Sequence, residues 1–232
     1  MNTKSALLLG ASGLVGGNCL HLLLGDDYYG KVTMLVRKTL PIEHAKLVQQ
    51  VIDFDRLEDY AQLVRGDDVF CCLGTTRKSA LSQEAFSKVD CTYPYEIAKI
   101  ARLNGAEQYL IVSSVGSDPE SRFFYYRVKG NAETAIAQLP FVAVHIFRPS
   151  MLRGARQVFR WEDYIVSPLM KCLSFAMVGA WRKYRAIYAS AVACAMVHIA
   201  RQGITGVHVY ESDQIQSISD SVRNKSSDVA LK

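Results

Sequence analysis

Short apolar runs alternate with longer amphipathic stretches through the first 150 residues of the chain. The first run, Ala6–Leu9, is followed by a glycine-rich turn and by a helix-like stretch that reaches Leu24. Later runs predict buried strands at 31–36, 48–52, 68–73, 108–112 and 141–147. The stretches between them predict helices at 56–64, 82–103 and 125–138. This alternation is typical of an α/β fold with a doubly wound parallel sheet.

The regular alternation fades after residue 150, so we divide the chain there. Residues 1–150 form the predicted nucleotide-binding core, and residues 151–232 form a small region that closes the substrate cleft within one compact domain. In the second part we predict helices at 161–176 and 190–201 and strands at 184–188 and 206–210. The serine-rich tail, 212–232, predicts at most one helical turn with frayed ends.

Three glycines follow the first strand in the pattern G-x-x-G-x-x-G. Gly10 lets the chain turn sharply, Gly13 lets backbone N–H groups approach a pyrophosphate, and Gly16 lets the helix pack closely on the strand. The helix N-terminus adds partial positive charge and unpaired donors. The pattern therefore predicts dinucleotide binding, and a merely tight strand–helix turn is the alternative.

Composition narrows the class of protein. Half of the 232 residues are hydrophobic and the net charge is +5, which allows a sizeable core and favours an anionic cofactor over nucleic acid. The six cysteines form no C-x-x-C, and the histidines show no metal-ligand spacing, so we predict neither a disulfide framework nor a metal site. We interpret His145 as a core residue. The apolar stretch Ala186–Ala200 is too short to span a bilayer. These features predict a soluble, cytoplasmic protein.

The end of the second strand predicts which dinucleotide binds. Arg37 and Lys38 stand where NAD needs a carboxylate and NADPH needs a cation for its 2′-phosphate, so we predict NADPH; an ordinary solvated turn is the alternative. Asp53 ends the third strand and is either an adenine contact or a turn residue. Leu73 and Gly74 end the fourth strand, where a glycine lets ribose and phosphates pass close to the backbone.

The catalytic candidates are Tyr125 and Lys129, which share a helix face at i and i+4. An ammonium group beside a phenol favours the phenolate, which makes Tyr125 a usable proton donor to a carbonyl that receives hydride. In a parallel sheet the carboxyl ends of the strands meet at one edge, where ligands bind, and Gly10, Arg37, Gly74 and Ser114 stand at such ends. The same spacing occurs at Tyr95 and Lys99, but that pair lies inside the preceding helix, away from this ligand edge. Ser114, just past the fifth strand, is the predicted anchor for the substrate carbonyl, with the serine before it as the alternative.

Taken together, these motifs resemble the short-chain dehydrogenase/reductase superfamily, and more closely its atypical branch of Tat-interacting oxidoreductase-like proteins. The resemblance rests on GASGLVG, LVRK, CCLGTTR, IVSSVGS, YYRVKG and FRPSML in that order. It implies a Rossmann-type fold that binds NADPH. The cofactor contacts that it implies are Ser12, Gly13, Leu14, Val15, Arg37, Lys38, Leu73, Gly74, Pro149, Leu152 and Arg160. The strand ends and the tyrosine–lysine pair described above add Gly10, Gly16, Asp53, Tyr125 and Lys129 to the predicted cofactor contacts. The implied catalytic set is Ser114, Tyr125 and Lys129.

Two departures from the family pattern bear on the reaction. Asp90 occupies the position where the superfamily often has an asparagine that supports a proton relay. The C-terminal region is also short beside extended sugar-nucleotide epimerases, which leaves little protein for a large pocket.

We therefore expect an NADPH-dependent oxidoreductase that reduces a small or apolar carbonyl with Tyr125 as proton donor. Aromatic side chains predict an apolar lining for the pocket: Phe123, Phe124, Trp161 and Phe175. One alternative is an NADPH-sensing regulatory protein with vestigial catalysis, and another is a sugar-nucleotide epimerase or dehydratase. The expected partners are a small carbonyl substrate and either a second copy of the chain or another protein, without nucleic acid or a membrane span.

Overall fold

A computed structural model describes residues 3–75, 82–154 and 179–230 of the chain, with side chains from 182 to 225 in the last range. The strands are β1 Lys4–Leu9, β2 Tyr29–Val36, β3 Leu47–Val51, β4 Asp68–Cys71, β5 Gln108–Val112, β6 Ala143–Arg148, β7 Leu152–Arg153, β8 Ile187–Tyr188 and β9 Gly206–Glu211. The α-helices are α1 Leu14–Gly25, α2 Gln83–Ser87, α3 Tyr93–Leu103, α4 Phe124–Ala137, α5 Ala189–Ala200 and α6 Ser212–Ala230. The predicted helix at 161–176 lies outside the described residues.

Seven of the strands described here form one parallel sheet in the order β3-β2-β1-β4-β5-β6-β9. The chain moves outward from β1 to β3, then returns to β4 on the other side of β1 and moves outward again. This reversal between β1 and β4 is the switch point of a doubly wound sheet, and ligands of such sheets bind at the carboxyl ends of the strands beside it. The predicted fold class is confirmed.

The inner strands β1, β4, β5 and β6 are buried on both faces, which explains their continuous apolar runs, whereas the edge strands β3 and β9 are partly exposed. Alternate residues of β1 face opposite layers: Ala6 and Leu8 belong to the cluster that holds α1 and α5, whereas Leu7 and Leu9 belong to the cluster that holds α3. The small side chains of α5 are almost all buried in the first cluster. This helix is therefore part of the core.

The predicted helix at 82–103 is interrupted. Between α2 and α3 the chain forms a π-helical turn, Lys88–Thr92, in which the Tyr93 N–H donates to the Lys88 carbonyl five residues back. Pro94, a residue type that kinks helices or marks their start, lies in the first turn of α3. It has no N–H to give to the carbonyl of Asp90, so the regular ladder cannot continue there. The wider turn is the result.

The prediction of a frayed tail was wrong, because 212–230 forms the 19-residue helix α6. Ile215 is fully buried and Ile218 packs beside it in the same cluster as α5. A few apolar residues at helical spacing are thus enough to form a helix in a polar segment, because α5 offers an apolar surface on which they pack. The predicted helix at 56–64 is instead a 3-10 segment, Phe54–Leu63, and the predicted strand at 184–188 is shortened to β8, which pairs with β7.

His145 is fully buried in β6, with its Nδ1 atom 3.2 Å from the Tyr210 hydroxyl. Burial, with a smaller effect from His208, lowers the pKa of His145 to about 4. The unfolded chain has a histidine pKa of about 6.5, so this residue's contribution to folding is present above that pH and is lost as pH falls through the folded value. The predicted core role of His145 agrees with this environment.

We expect the free energy of unfolding to fall by about 2 kcal/mol between pH 7 and pH 5 on account of His145, because over this interval mainly the unfolded state gains the proton. The His145→Gln variant should lose correspondingly less over the same interval. Urea denaturation at the two pH values measures this difference, with the exposed His21→Gln as control. An equal loss in wild type and His145→Gln would contradict the assignment.

Candidate functional site

The glycine turn between β1 and α1 is closed by backbone contacts. Gly10 has a φ of +77°, and a Cβ there would lie closer than 3.0 Å to the Cys72 carbonyl oxygen. A Cβ on Gly16 would lie closer than 3.0 Å to the Gly10 carbonyl oxygen. The sharp turn and the close helix packing predicted from the sequence are thus both present.

The first turn of α1 fits an anionic group. Gly13 is the N-cap and supplies no side-chain hydrogen bond, so the opening amides of Leu14, Val15 and Gly16 have no intrahelical acceptor. Ser12 is exposed at the apex of the turn. Bare amides at a helix N-terminus suit the pyrophosphate of a dinucleotide, and no carboxylate lies in the first turn to oppose it.

The side chains after β2 and β3 lie at the same edge of the sheet. Arg37 and Lys38 are exposed directly after β2. Asp53 accepts a hydrogen bond of 3.0 Å from the Asp55 N–H and caps the 3-10 segment that follows. This cap is the turn role that the sequence left open for Asp53; its contact with adenine stays a prediction.

A polar cluster beside Asp53 was not foreseen from the sequence. Asp55 lies 2.8 Å from both the Lys88 Nζ atom and the Tyr93 hydroxyl. Hydrogen bonds from Lys88 and then Tyr93 hold the pKa of Asp55 below its usual value. Burial and Asp55 together raise the pKa of Tyr93 to about 12. The only sequence signal was the polar residue after β3, since the partners come from the interrupted helix 33 and 38 positions later.

Lys129 is buried at the same edge of the sheet, near the carboxyl ends of β4 and β5. Its Nζ atom lies 2.8 Å from Asp90 Oδ1 and 3.4 Å from the Val112 carbonyl oxygen. Burial lowers the pKa of Lys129, but attraction by Asp90 and then by Tyr125 outweighs it, and the net pKa is raised. A Cβ on Gly74 would be 3.8 Å from this ammonium group. Lys129 thus lies directly behind the backbone that follows β4.

Tyr125 stands in the first turn of α4, one helical turn before Lys129. Its ring is half-buried and packs at 5.6 Å from Phe86 and 5.3 Å from Tyr126, centroid to centroid. A Cβ on Gly130 would lie closer than 3.0 Å to the backbone of the loop before α4, so a lysine cannot stand there. This is why Tyr125, and not Tyr126, has a lysine at i+4.

The two serines after β5 differ in their surroundings. Ser113 is buried and its Oγ atom lies 3.0 Å from the Oγ atom of Ser117. Ser114 is half-buried, and its hydroxyl makes a long hydrogen bond of 3.3 Å to the Val115 carbonyl oxygen. The Ser114 hydroxyl is therefore the one with freedom to bind a ligand, which favours it over Ser113.

The segment after β6 borders the site from the C-terminal side. Pro149 is buried and its carbonyl accepts a hydrogen bond of 3.0 Å from the Val115 N–H. Leu152 opens β7 and packs against the core. Phe124 packs on Phe86, whereas Phe123 is 71% exposed. Three predicted site residues lie outside the described residues: Arg160, Trp161 and Phe175.

In residues 3–75, 82–154 and 179–230, no group of three or more histidine, cysteine or acidic side chains is placed to hold a metal ion. The same residues contain no helix with the length and apolarity that crossing a membrane requires. Cys19 and Cys72 are free thiols with sulfur atoms 3.9 Å apart.

Comparisons with known proteins agree with this architecture. Residues 6–124 match the model of the NAD dependent epimerase/dehydratase family. Protein HTATIP2 from Rattus norvegicus is 38% identical over 169 residues, which cover 71% of this chain and 69% of the relative. Protein FMP52, mitochondrial, from Saccharomyces cerevisiae is 32% identical over 156 residues, which cover 66% of this chain and 67% of the relative. The resemblance predicted from the sequence motifs is confirmed.

Solved structures resemble the fold at much lower identity. MoeE5 in complex with UDP-glucose and NAD aligns with a TM-score of 0.67 and 16% identity, covering 94% of this chain and 81% of that chain. The Bordetella bronchiseptica enzyme WbmH in complex with NAD+ aligns with a TM-score of 0.66 and 15% identity, covering 95% of this chain and 81% of that chain. At these identities the comparison supports the Rossmann-type fold.

The predicted cytoplasmic location is wrong by these comparisons. Relatives from Scheffersomyces stipitis, Debaryomyces hansenii and Saccharomyces cerevisiae are named as mitochondrial proteins. The prediction rested on cysteines without a disulfide framework and on an apolar stretch too short to span a bilayer, and neither feature selects one reducing compartment over another.

Proposed function

The chain belongs to the NAD dependent epimerase/dehydratase family, and from this premise we propose that it is an NADPH-dependent oxidoreductase that reduces a small or apolar carbonyl. The observation that carries the proposal is the placement of Lys129. Its buried ammonium group lies behind Gly74 and one helical turn from Tyr125, at the sheet edge where the glycine turn opens. In this proposal the edge provides a dinucleotide cradle, a proton donor and a fixed cation.

The residues divide the reaction between binding and proton transfer. When bound, the nicotinamide cofactor supplies the hydride. The amides of the first turn of α1 bind its pyrophosphate, and the Ser114 hydroxyl hydrogen-bonds the substrate carbonyl. Tyr125 donates its phenolic proton to the developing alkoxide. The ammonium of Lys129 stabilises the resulting phenolate and presents N–H donors to the ribose.

Direct assay tests this function. The purified protein is mixed with NADPH and a panel of aldehydes, ketones and quinones, and the loss of absorbance from reduced nicotinamide is followed. Consumption of NADPH that depends on one of these carbonyls supports the reductase. Tight NADPH binding without turnover on any of them would favour the regulatory alternative.

A sugar-nucleotide epimerase or dehydratase is the second candidate, and the family model favours it. Such an enzyme returns its hydride to the sugar, so the cofactor is not consumed overall. Incubation with UDP-hexoses and oxidised cofactor, NAD+ or NADP+, followed by product analysis by chromatography, separates the two candidates. An epimerised or dehydrated sugar without net formation of reduced cofactor supports the epimerase or dehydratase and contradicts the reductase.

The cofactor preference makes a separate prediction. We expect NADPH to bind about tenfold more tightly than NADH, because the exposed guanidinium of Arg37 pairs with the 2′-phosphate through charge-assisted hydrogen bonds. Arg37→Ala should remove most of this difference. A ligand that binds only the folded state raises the unfolding temperature with its occupancy, so thermal unfolding at matched NADPH and NADH concentrations measures it.

Lys31→Ala is the matched control, because Lys31 is an exposed cation at the opposite end of the same strand, β2. It changes the net charge by the same amount as Arg37→Ala without altering the proposed phosphate site. Equal stabilisation by the two cofactors in wild type, or a preference that survives in Arg37→Ala, would exclude the role given to Arg37.

A further inference from the structure

Asp90 is a buried acidic residue placed by an irregular helix. It lies in the π-helical turn between α2 and α3 and is 1% exposed. The turn exists because Pro94 lacks the N–H that a regular helix would direct at the Asp90 carbonyl. π-helical turns occur often at functional sites, where the extra residue changes the direction of a side chain. Here the side chain at that turn is a carboxylate at the ligand edge of the sheet.

The two oxygens of this carboxylate hold two different elements. Oδ1 lies 2.8 Å from the Lys129 Nζ atom on α4. Oδ2 accepts a hydrogen bond of 2.9 Å from the Thr75 N–H in the turn after β4. Gly74 fits between them, since a Cβ there would be 3.5 Å from Asp90 Oδ1 and 3.8 Å from Lys129 Nζ. One side chain therefore fixes both the turn that faces the cofactor and the lysine behind it.

The negative charge of Asp90 affects the protonation of Lys129, apart from the hydrogen bond that its carboxylate accepts. The Lys129 side chain is only 7% exposed, and burial by itself favours the neutral amine. Asp90 is the main attraction that keeps the ammonium form. An asparagine would keep an acceptor for the Thr75 N–H but leave the buried cation without its counter-charge. The negative charge of Asp90 is thus required to keep Lys129 as an ammonium group. The hydrogen bond from the Thr75 N–H needs only an oxygen acceptor, which either an aspartate or an asparagine supplies.

We propose that Asp90 is a positioning residue that holds the Lys129 ammonium and the Gly74–Thr75 turn in a single arrangement, linking cofactor binding to proton donation. This inference rests on the proposed function. The superfamily often has an uncharged asparagine at this position, where it supports a proton relay. The role assigned to Asp90 differs, because its carboxylate forms an ion pair with the lysine directly.

Two substitutions separate the two contacts. Asp90→Asn keeps an acceptor for Thr75 and removes the charge, so we expect the NADPH dissociation constant to stay within about threefold of wild type and kcat to fall about tenfold. Asp90→Ala removes both, so the dissociation constant should also rise by about tenfold. In Asp90→Asn the pKa of Lys129 falls because burial has lost its main opposing attraction, which moves the alkaline limit of kcat to lower pH.

Asp68→Asn is the control, since Asp68 is also buried and ion-paired, at 3.1 Å from Lys4 Nζ, but at the opposite end of the sheet. It should lower stability and leave NADPH binding and the pH profile unchanged. Wild-type NADPH affinity in Asp90→Ala, or a wild-type pH profile in an active Asp90→Asn, overturns the proposal. If wild type reduces no carbonyl, the proposed function fails, and the binding comparison between Asp90→Ala and Asp90→Asn still decides for or against Asp90.

Discussion

Tyr125→Phe is expected to lower kcat for carbonyl reduction by about 10²- to 10⁴-fold, the usual contribution of a positioned general acid. Phenylalanine keeps the ring that packs on Phe86 and Tyr126, so the fold should be retained. Only the hydroxyl proposed to donate the proton is lost. The dissociation constant for NADPH should therefore stay close to that of wild type, which places the effect on the chemical step.

Tyr126→Phe is the matched control for this experiment. Tyr126 is the next residue in α4 and is half-buried like Tyr125, but Gly130 stands at the position where a partner lysine would be needed. It should retain turnover within about threefold of wild type, the effect of a side chain with no part in proton transfer. Turnover that survives in Tyr125→Phe, or that is lost equally in both variants, would show that Tyr125 is not the proton donor.

The fold could be predicted from the sequence because its inner strands are short, continuous apolar runs. The run at 108–112 corresponds to β5 without any shift. Errors arose where tertiary contacts decide the outcome. The tail is polar by composition, and only the surface of α5 explains why Ile215 anchors a long helix there. The position of Pro94 signalled an interruption, but its form as a π-helical turn depends on backbone geometry that no local pattern encodes.

The placement of the candidate residues was predictable where chain order fixes geometry. Strand ends in a parallel sheet meet at one edge, so Gly10, Arg37, Gly74 and Ser114 were expected together there. Contacts between side chains of elements far apart in the sequence could not be predicted, because chain order does not fix how those elements pack. Asp90 was singled out only as a departure from a family pattern, whereas its ion pair with Lys129 depends on how two helices pack. The Asp55 cluster was missed for the same reason.

Gly16→Ala is expected to abolish measurable NADPH binding, raising the dissociation constant by at least about 100-fold. The added Cβ would lie closer than 3.0 Å to the Gly10 carbonyl oxygen, so the turn and the start of α1 must move apart. Over-packing of this kind costs about 1–3 kcal/mol of unfolding free energy, and it also displaces the amides proposed to bind the pyrophosphate. Thermal unfolding with and without saturating NADPH measures both effects.

Gly17→Ala, one residue further along α1, separates this clash from the general effect of adding a methyl group to the helix. A Cβ on Gly17 would be 3.4 Å from the Ala11 carbonyl oxygen, an ordinary contact, so this variant should bind NADPH normally and gain about 0.5–1 kcal/mol from its better helix propensity. If Gly16→Ala does not fold, Gly13→Ala replaces it, since a Cβ there would be 3.2 Å from the same Gly10 oxygen and strains the turn less. Unchanged NADPH binding in the folded variant would mean that the cofactor does not lie on this turn, and the site proposed at the strand ends would have to be abandoned.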